Sequence, residues 1–275
     1  MSDRNQALIF IVSVLATSWS FEAFIIANGG VRNLGPLWIV VLMCIPGVLS
    51  VALRLILKSG FGDVGFQAGK GRYYIYAIAV PLLLALLVGL LSAVFDIRKF
   101  SPISPEQLTQ ITPVLLSVLG LGLIGAFGEE LGWRGFLLPK MMSGGFRKPY
   151  LTCGLVWASW HLPLIAFGDF YQTENKLLMA LIYGLGILAM SFVFSELRVR
   201  SGSVWVATIV HAAHNFFFQF AFPVLLLTVP GSHSELWEIV VGDTGICIAV
   251  LYIATYLVFR HILRRHRAYE GRDDV

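Results

Sequence analysis

Eight apolar stretches alternate with short polar segments along the chain, and this pattern predicts the fold. The stretches lie at about 7–27, 36–57, 74–95, 111–128, 150–167, 177–195, 203–226 and 245–259. Most approach the roughly 20 residues that a helix needs to cross the apolar part of a bilayer. They lack the alternation of polar and apolar positions that transmembrane strands show, so helices are favoured over a barrel. We therefore predict an all-α, polytopic membrane protein, a bundle of about eight transmembrane helices in a single domain over 1–275.

The composition agrees with a membrane protein and excludes other classes. Hydrophobic residues make up 57% of the 275 residues and charged residues only 13%, whereas soluble domains average about 25% charged residues. No basic face interleaved with aromatic residues occurs in the sequence, so we predict no nucleic-acid partner. Cys44, Cys153 and Cys247 fall inside apolar stretches without metal-type spacing, and we interpret them as buried apolar residues.

Lys and Arg are distributed unequally between the two ends of the predicted bundle. Of the 20 such residues, Arg32, Arg98, Lys99 and Lys176 fall on one side, and all others, including a C-terminal cluster at 260–272, fall on the opposite side. Cytoplasmic loops of membrane proteins carry an excess of Lys and Arg. The asymmetry therefore predicts that both termini are cytoplasmic, as an even number of spans requires.

Ionisable and amide side chains inside the apolar stretches are the strongest functional signal. Each ionisable group costs roughly 2.5–3.5 kcal/mol to insert at the centre of a span. They concentrate in three stretches, with Glu129, Glu130 and Arg134 at the end of the fourth, Trp157 and His161 in the fifth, and His211, His214 and Asn215 in the seventh. Counted along the helices, the three groups reach a similar depth. We expect Glu129, His161, His211 and Asn215 to share one sheltered pocket, with His214 as a supporting neighbour. We interpret Glu22 as an interfacial residue whose side chain reaches water, without a function.

Helical spacing assigns these residues to faces. Glu130 and Arg134 are four residues apart and can form a structural ion pair, which we place near the membrane interface. Glu129 is rotated by about 100° from its neighbour and is free to point elsewhere. His211 and Asn215 are also four apart and share a face.

A carboxylate, two imidazoles and an amide at one depth are suited to hydrolysis. A carboxylate shielded from bulk water can act as a general base toward a bound water. A His or Asn side chain can donate hydrogen bonds to the oxyanion that forms on an attacked carbonyl. Glu129, His161 and His211 would also suit a zinc ion with an open position for water, although the HExxH arrangement is absent from the sequence.

Three motifs in order on successive spans resemble those of the CAAX protease and bacteriocin-processing family. This family includes the eukaryotic CAAX prenyl endopeptidase and many bacterial membrane proteins. The motifs are EExxxR at Glu129, Glu130 and Arg134, an aromatic-xxx-His at Trp157 and His161, and HxxxN at His211 and Asn215. The resemblance covers about 129–215, within a catalytic core predicted at about 111–226. Trp157 stands where the family often has Phe, and we interpret its role as aromatic packing.

The resemblance implies an intramembrane endopeptidase of a prokaryotic cell membrane, either a metallopeptidase, with zinc as the cofactor, or a metal-free glutamate peptidase. Glu129 would activate water with His161 assisting, and His211 and Asn215 would stabilise the oxyanion or hold a metal. The Glu–Arg pair of EExxxR would be structural or substrate-orienting. The partner would be a peptide or lipidated protein at the membrane, prenylated in the CAAX manner or a processed peptide. The oligomeric state is not indicated by the sequence.

Two other functions stay open on the sequence alone. Buried Glu and His residues also build proton relays in transporters, but many such carriers are built from inverted repeats with broken helices, and no internal repeat is visible in this sequence. A non-catalytic bacteriocin-immunity or scaffold protein would keep the same fold without the chemistry.

Overall fold

The computed structural model describes residues 1–100, 103–171, 173–228 and 237–270, and nearly all of them are helical. Among these described residues, seven helices are long and apolar enough to cross a bilayer, which makes the chain an all-α integral membrane protein. These candidate spans are Asp3–Ala27, Leu37–Ile56, Arg72–Val94, Pro105–Ser143, Pro149–Phe167, Lys176–Ser201 and Ile239–His261.

The elements are numbered in chain order. The helices are α1 (Asp3–Ala27), α2 (Gly30–Leu34), α3 (Leu37–Ile56), α4 (Arg72–Val94), α5 (Pro105–Gly132), α6 (Leu138–Ser143), α7 (Pro149–Phe167), α8 (Lys176–Ser201), α9 (Val204–Asn215), α10 (Phe222–Leu225) and α11 (Ile246–Glu270). Wider π-helical segments occur at Trp133–Leu137, Phe216–Ala221 and Trp237–Val241. Two three-residue strands, β1 (Arg98–Phe100) and β2 (Leu226–Thr228), pair antiparallel with Arg98 opposite Thr228.

The seventh predicted run is helical but is not one of the seven candidate spans. The run predicted at 203–226 forms α9, the π-helical segment Phe216–Ala221 and α10. Helix α9 itself has 12 residues, and most of its side chains are buried within the bundle. Within the described residues, seven of the eight predicted runs therefore correspond to candidate spans, and the run at 203–226 forms a shorter, largely buried α-helix that continues into a π-helical segment.

Local sequence signals set the ends of the helices that carry the predicted motifs. Ser104 begins α5 with a reciprocal cap, in which its hydroxyl accepts from the Gln107 N–H at 3.2 Å and the Gln107 side chain accepts from the Ser104 N–H at 2.9 Å. Gly202 ends α8 in the left-handed region with φ 73°, and Ser203 caps α9 at once. Because this turn is so short, α9 returns directly alongside α8.

Charged residues assigned by sequence to the cytoplasmic side meet at one end of the bundle. The Asp63 carboxylate pairs with Arg54 at 2.6 Å and with Lys140 at 3.2 Å, and Lys140 also pairs with Asp3 at 3.0 Å. These contacts join the N-terminus, the loop after α3 and α6 on one face. They agree with the predicted sidedness, while the membrane face to which this end belongs stays a prediction. The C-terminal basic side chains beyond His261 lie outside the described residues.

Glycines bring α3 and α5 into backbone contact. A methyl group on Gly47 would lie 2.6 Å from the Gly128 carbonyl oxygen, and one on Gly128 would lie 2.7 Å from the Cys44 Cα. Small residues allow this close approach between helices in membranes, where packing replaces the hydrophobic effect as the driving force. The contact fixes the end of α5 that carries Glu129.

We expect Gly128→Ala to push α3 and α5 apart and to lower the thermal stability of the protein. The cost of overpacking is about 1–3 kcal/mol, measurable as a lower unfolding temperature in detergent. Gly120→Ala is the matched control, because it lies on the same helix with no atom within 4 Å of the added methyl group. Equal unfolding temperatures for the two variants would contradict the close helix contact.

Candidate active site

A small cavity inside the bundle is lined by side chains from all three predicted motifs. Its volume is about 70 Å³, enough for about two water molecules at roughly 30 Å³ each. Glu129 lines it from α5, His161 from α7, and His211 and Asn215 from α9. The predicted meeting of these four side chains is therefore confirmed as geometry, while their catalytic roles stay predictions.

Glu129 is held through one of its two carboxylate oxygens. Its Oε2 accepts hydrogen bonds from the indole N–H of Trp157 at 2.6 Å and of Trp133 at 3.2 Å. Its Oε1 has no donor among the described residues, and the carboxylate borders the cavity. The indoles therefore fix the orientation of the group and leave one oxygen for a bound water.

The prediction of simple aromatic packing for Trp157 was incomplete. Its ring does pack, against His211 at 5.3 Å and Phe194 at 5.8 Å between centroids. It also donates the shorter of the two hydrogen bonds to Glu129, which a phenylalanine could not do. The sequence did contain a signal for this hydrogen bond, because a Trp in place of the family's Phe adds one N–H donor.

A buried ion pair lies beside Glu129. Arg134 Nη1 donates to Glu130 Oε1 at 2.8 Å, and neither side chain is exposed. The predicted pairing is confirmed and the pair is fully buried in the bundle, while its position near the membrane interface stays a prediction. His211 Nδ1 donates to the same Oε1 at 2.9 Å, and Arg134 Nη2 donates to Ser191 Oγ at 3.0 Å. The pair thus connects α5 to α8 and α9.

The hydrogen bonds of the two imidazoles indicate which nitrogen carries the proton. The Trp157 carbonyl can only accept, so His161 Nδ1 donates to it at 3.0 Å. His211 Nδ1 likewise donates to the Glu130 carboxylate. In each neutral ring Nε2 keeps its lone pair, and it becomes a donor only when the ring is protonated. Among the four side chains predicted to share the cavity, the Asn215 amide is therefore the one that can donate a hydrogen bond to an oxyanion without a change of protonation.

A second polar cluster borders the same cavity and was missed by the sequence reasoning. Gln219 Nε2 donates to Asp243 Oδ2 at 2.8 Å, and the Tyr171 hydroxyl donates to Asp243 Oδ1 at 2.7 Å. Burial raises the pKa of the Tyr171 hydroxyl well above its usual value, so it stays protonated as a donor. Gln219 lies four residues after Asn215, and extending the HxxxN face by one turn would have found it. Asp243 belongs to no motif and has no comparable signal.

Two further polar residues, His214 and Glu22, lie close to the cavity. His214, predicted as a supporting neighbour, lines the cavity and makes a 3.0 Å hydrogen bond between its Nδ1 and the Tyr252 hydroxyl. Glu22 is fully buried, so the prediction that its side chain reaches water is wrong. Its Oε2 accepts from the Leu164 N–H at 2.9 Å, and Leu164 forms part of the cavity wall.

The predicted zinc ligands Glu129, His161 and His211 do not fit a metal in this arrangement. Within the described residues, no three His, Cys, Asp or Glu side chains are placed to hold one ion. Glu129 directs Oε2 to two indole donors instead. A zinc cofactor stays a prediction.

We expect Arg134→Met to destabilise the protein strongly, because it leaves the Glu130 carboxylate buried without its cation. Breaking one partner of a buried pair costs about 3–5 kcal/mol. Lys99→Met is the control, since its pair with Asp96 is 63% and 73% exposed and is worth at most about 1 kcal/mol. Unfolding temperatures in detergent measure both, and an equal small effect would show that the Glu130–Arg134 pair is not essential.

The central part of the chain is similar to a known protein family. Residues 111–217 match the family model described as Type II CAAX prenyl endopeptidase Rce1-like. The protein named CAAX prenyl protease 2 from Methanococcus maripaludis is 32% identical over 142 residues, which cover 49% of this chain and 52% of that relative. The chain therefore spans about half the length of this relative. These matches confirm the resemblance predicted from the three motifs, and residues 111–217 form an Rce1-like segment.

Proposed function

We propose that the protein is an intramembrane endopeptidase in which Glu129 activates a water molecule. The observation that carries the proposal is the asymmetric binding of this carboxylate. Oε2 accepts hydrogen bonds from two indole donors, while Oε1 has no donor among the described residues. The carboxylate lines a cavity that is large enough for water. The Rce1-like segment supports the reaction class, because its family description names an endopeptidase.

The reaction proceeds through groups that already border the cavity. A water molecule donates one hydrogen bond to Glu129 Oε1 and the other to the Nε2 lone pair of His161. Glu129 takes the proton as the water oxygen attacks the peptide carbonyl, and the Asn215 amide donates to the oxyanion. When the tetrahedral intermediate collapses, Glu129 gives the proton to the departing amine. His211, bound to Glu130, holds α9 against α5 so that Glu129 and Asn215 stay at the same cavity.

The substrate we propose is a membrane-associated peptide or lipidated protein. A cavity of about 70 Å³ holds water but no peptide, so the helices must separate when substrate enters. An apolar groove of about 350 Å³ lies between α3 and α5, is lined by Val48, Val51, Ile124 and Phe127, and reaches Gly128 beside the proposed base. A hydrocarbon-bearing substrate, including one prenylated in the CAAX manner, suits such a surface. The relative from Methanococcus maripaludis is named for this class of substrate.

The proposed orientation in the membrane determines from which side a substrate reaches the cavity. Both termini face the cytoplasm of a prokaryotic cell, and the acidic and basic network around Asp63 forms the cytoplasmic end of the bundle. Substrates that carry a lipid on the inner leaflet would then approach α3 and α5 from the side.

We expect Glu129→Gln to lower cleavage of a prenylated CAAX peptide by at least about 10²-fold, because the amide cannot accept the water proton. The matched control is Glu106→Gln, an exposed acid in the first turn of the same helix. Both variants should insert and unfold like the unaltered protein. Full cleavage by the Glu129 variant would contradict the proposal, and solute flux in proteoliposomes without any peptidase activity would favour the transporter alternative.

We expect chelators to leave cleavage unchanged, since no three ligand side chains converge among the described residues. The measurement combines metal analysis of the purified protein with cleavage before and after treatment with 1,10-phenanthroline. About one zinc ion per chain that is lost in His211→Ala, together with inhibition by the chelator, would replace the proposed reaction by the zinc-dependent one.

A further inference from the structure

Pro163 interrupts the hydrogen bonding of α7 two residues after His161. Proline has no backbone N–H, so the Ser159 carbonyl lacks the donor that a helix would normally supply four residues later. A proline in a helix interior usually kinks it at this place. The direction in which His161 points therefore depends on what binds the Ser159 carbonyl.

Helix α1 occupies backbone groups on both sides of His161. Trp19 Nε1 donates to the Ser159 carbonyl at 3.2 Å, replacing the missing N–H of Pro163. Glu22 Oε2 accepts from the Leu164 N–H at 2.9 Å. Trp19 and Glu22 are three residues apart and so lie on one face of α1. The two side chains bridge the proline break from outside the helix.

The burial of Glu22 indicates that this bridge is more than incidental packing. The side chain is fully buried in a membrane span, where an ionisable group is costly. Its Oε1 has no partner among the described residues, and the Leu164 N–H is the one donor that its carboxylate receives from them. An apolar residue would avoid this cost but could not accept that hydrogen bond.

His161 lies within the part of α7 that the bridge fixes. Its Nδ1 is bound to the carbonyl of Trp157 one turn earlier, and its ring is packed against Trp160 at 4.6 Å and Tyr183 at 5.0 Å between centroids. A change of bend at Pro163 would move the backbone on which this ring is mounted. A displacement of about 1 Å at a catalytic group can cost about 10²-fold in rate.

We propose that Trp19 and Glu22 are positioning residues that hold the proline break of α7 so that His161 faces the catalytic water. This inference rests on the proposed function of the cavity. It assigns to α1, outside the Rce1-like segment at 111–217, a part in the geometry of the site.

A double-mutant cycle with Pro163 tests the proposal. Trp19→Phe keeps an aromatic ring and removes the N–H, and we expect kcat to fall about tenfold with KM changed less than about twofold. Pro163→Ala restores a backbone N–H that can bond to the Ser159 carbonyl. In that background we expect Trp19→Phe to cost less than about twofold in kcat. An equal loss in both backgrounds, or no loss in either, would overturn the proposal.

Glu22 and a second tryptophan supply the matched variants. Glu22→Gln keeps an acceptor oxygen for the Leu164 N–H and should keep most of the activity, whereas Glu22→Leu should lower kcat as Trp19→Phe does. Trp38→Phe is the control, because the Trp38 indole packs on Phe21 and Phe24 and its N–H has no partner among the described residues. Equal losses in Glu22→Gln and Glu22→Leu would overturn the role of the acceptor.

A measurement without turnover separates this inference from the proposed function. The imidazole nitrogen signals of ¹⁵N-histidine-labelled protein report the ring of His161, assigned by its loss in His161→Gln. We expect Trp19→Phe to shift this signal and Pro163→Ala to reverse the shift. An unchanged signal would overturn the positioning role even if Glu129→Gln is inactive. A reversible shift in a protein whose Glu129→Gln variant cleaves normally would instead show that the proposed function fails.

Discussion

Polar and ionisable groups buried in a membrane protein need partners within the protein, and one carboxylate oxygen, Glu130 Oε1, is the shared partner of two of them. Glu130 Oε1 accepts from both Arg134 and His211, and Arg134 continues to Ser191. Three helices, α5, α8 and α9, are thereby fixed around a single acceptor. Removing any partner would leave a charged or polar group unsatisfied in a medium that contains no water to replace it. One member of this network, His211, also lines the cavity.

The two adjacent carboxylates of the EExxxR motif have different environments because a helix rotates about 100° per residue. Glu130 faces a guanidinium and an imidazole, whereas Glu129 faces two indole N–H groups and the cavity. Indoles donate without carrying charge, so they orient Glu129 without forming an ion pair. The same residue type thus serves structure at one position and, in our proposal, chemistry at the next, a division set by environment alone.

Relations within one helix could be predicted from the sequence, and relations between helices only in part. The four-residue spacing of Glu130 and Arg134 predicted their ion pair, which the structure contains. The similar depth of Glu129, His161 and His211 predicted that they lie together, and they line one cavity. The indole bond of Trp157 and the burial of Glu22 depend on how separate helices pack. Such contacts are set by side-chain direction and interhelical distance, which have no local signature in sequence.

The most direct test of this account is an experimental structure at a resolution that shows ordered water in the cavity. We predict one water within hydrogen-bonding distance, about 2.6–3.2 Å, of Glu129 Oε1, with His161 and Asn215 facing the same site. A Glu129 side chain turned toward lipid, or imidazole and amide groups too far apart to contact a common water, would contradict it.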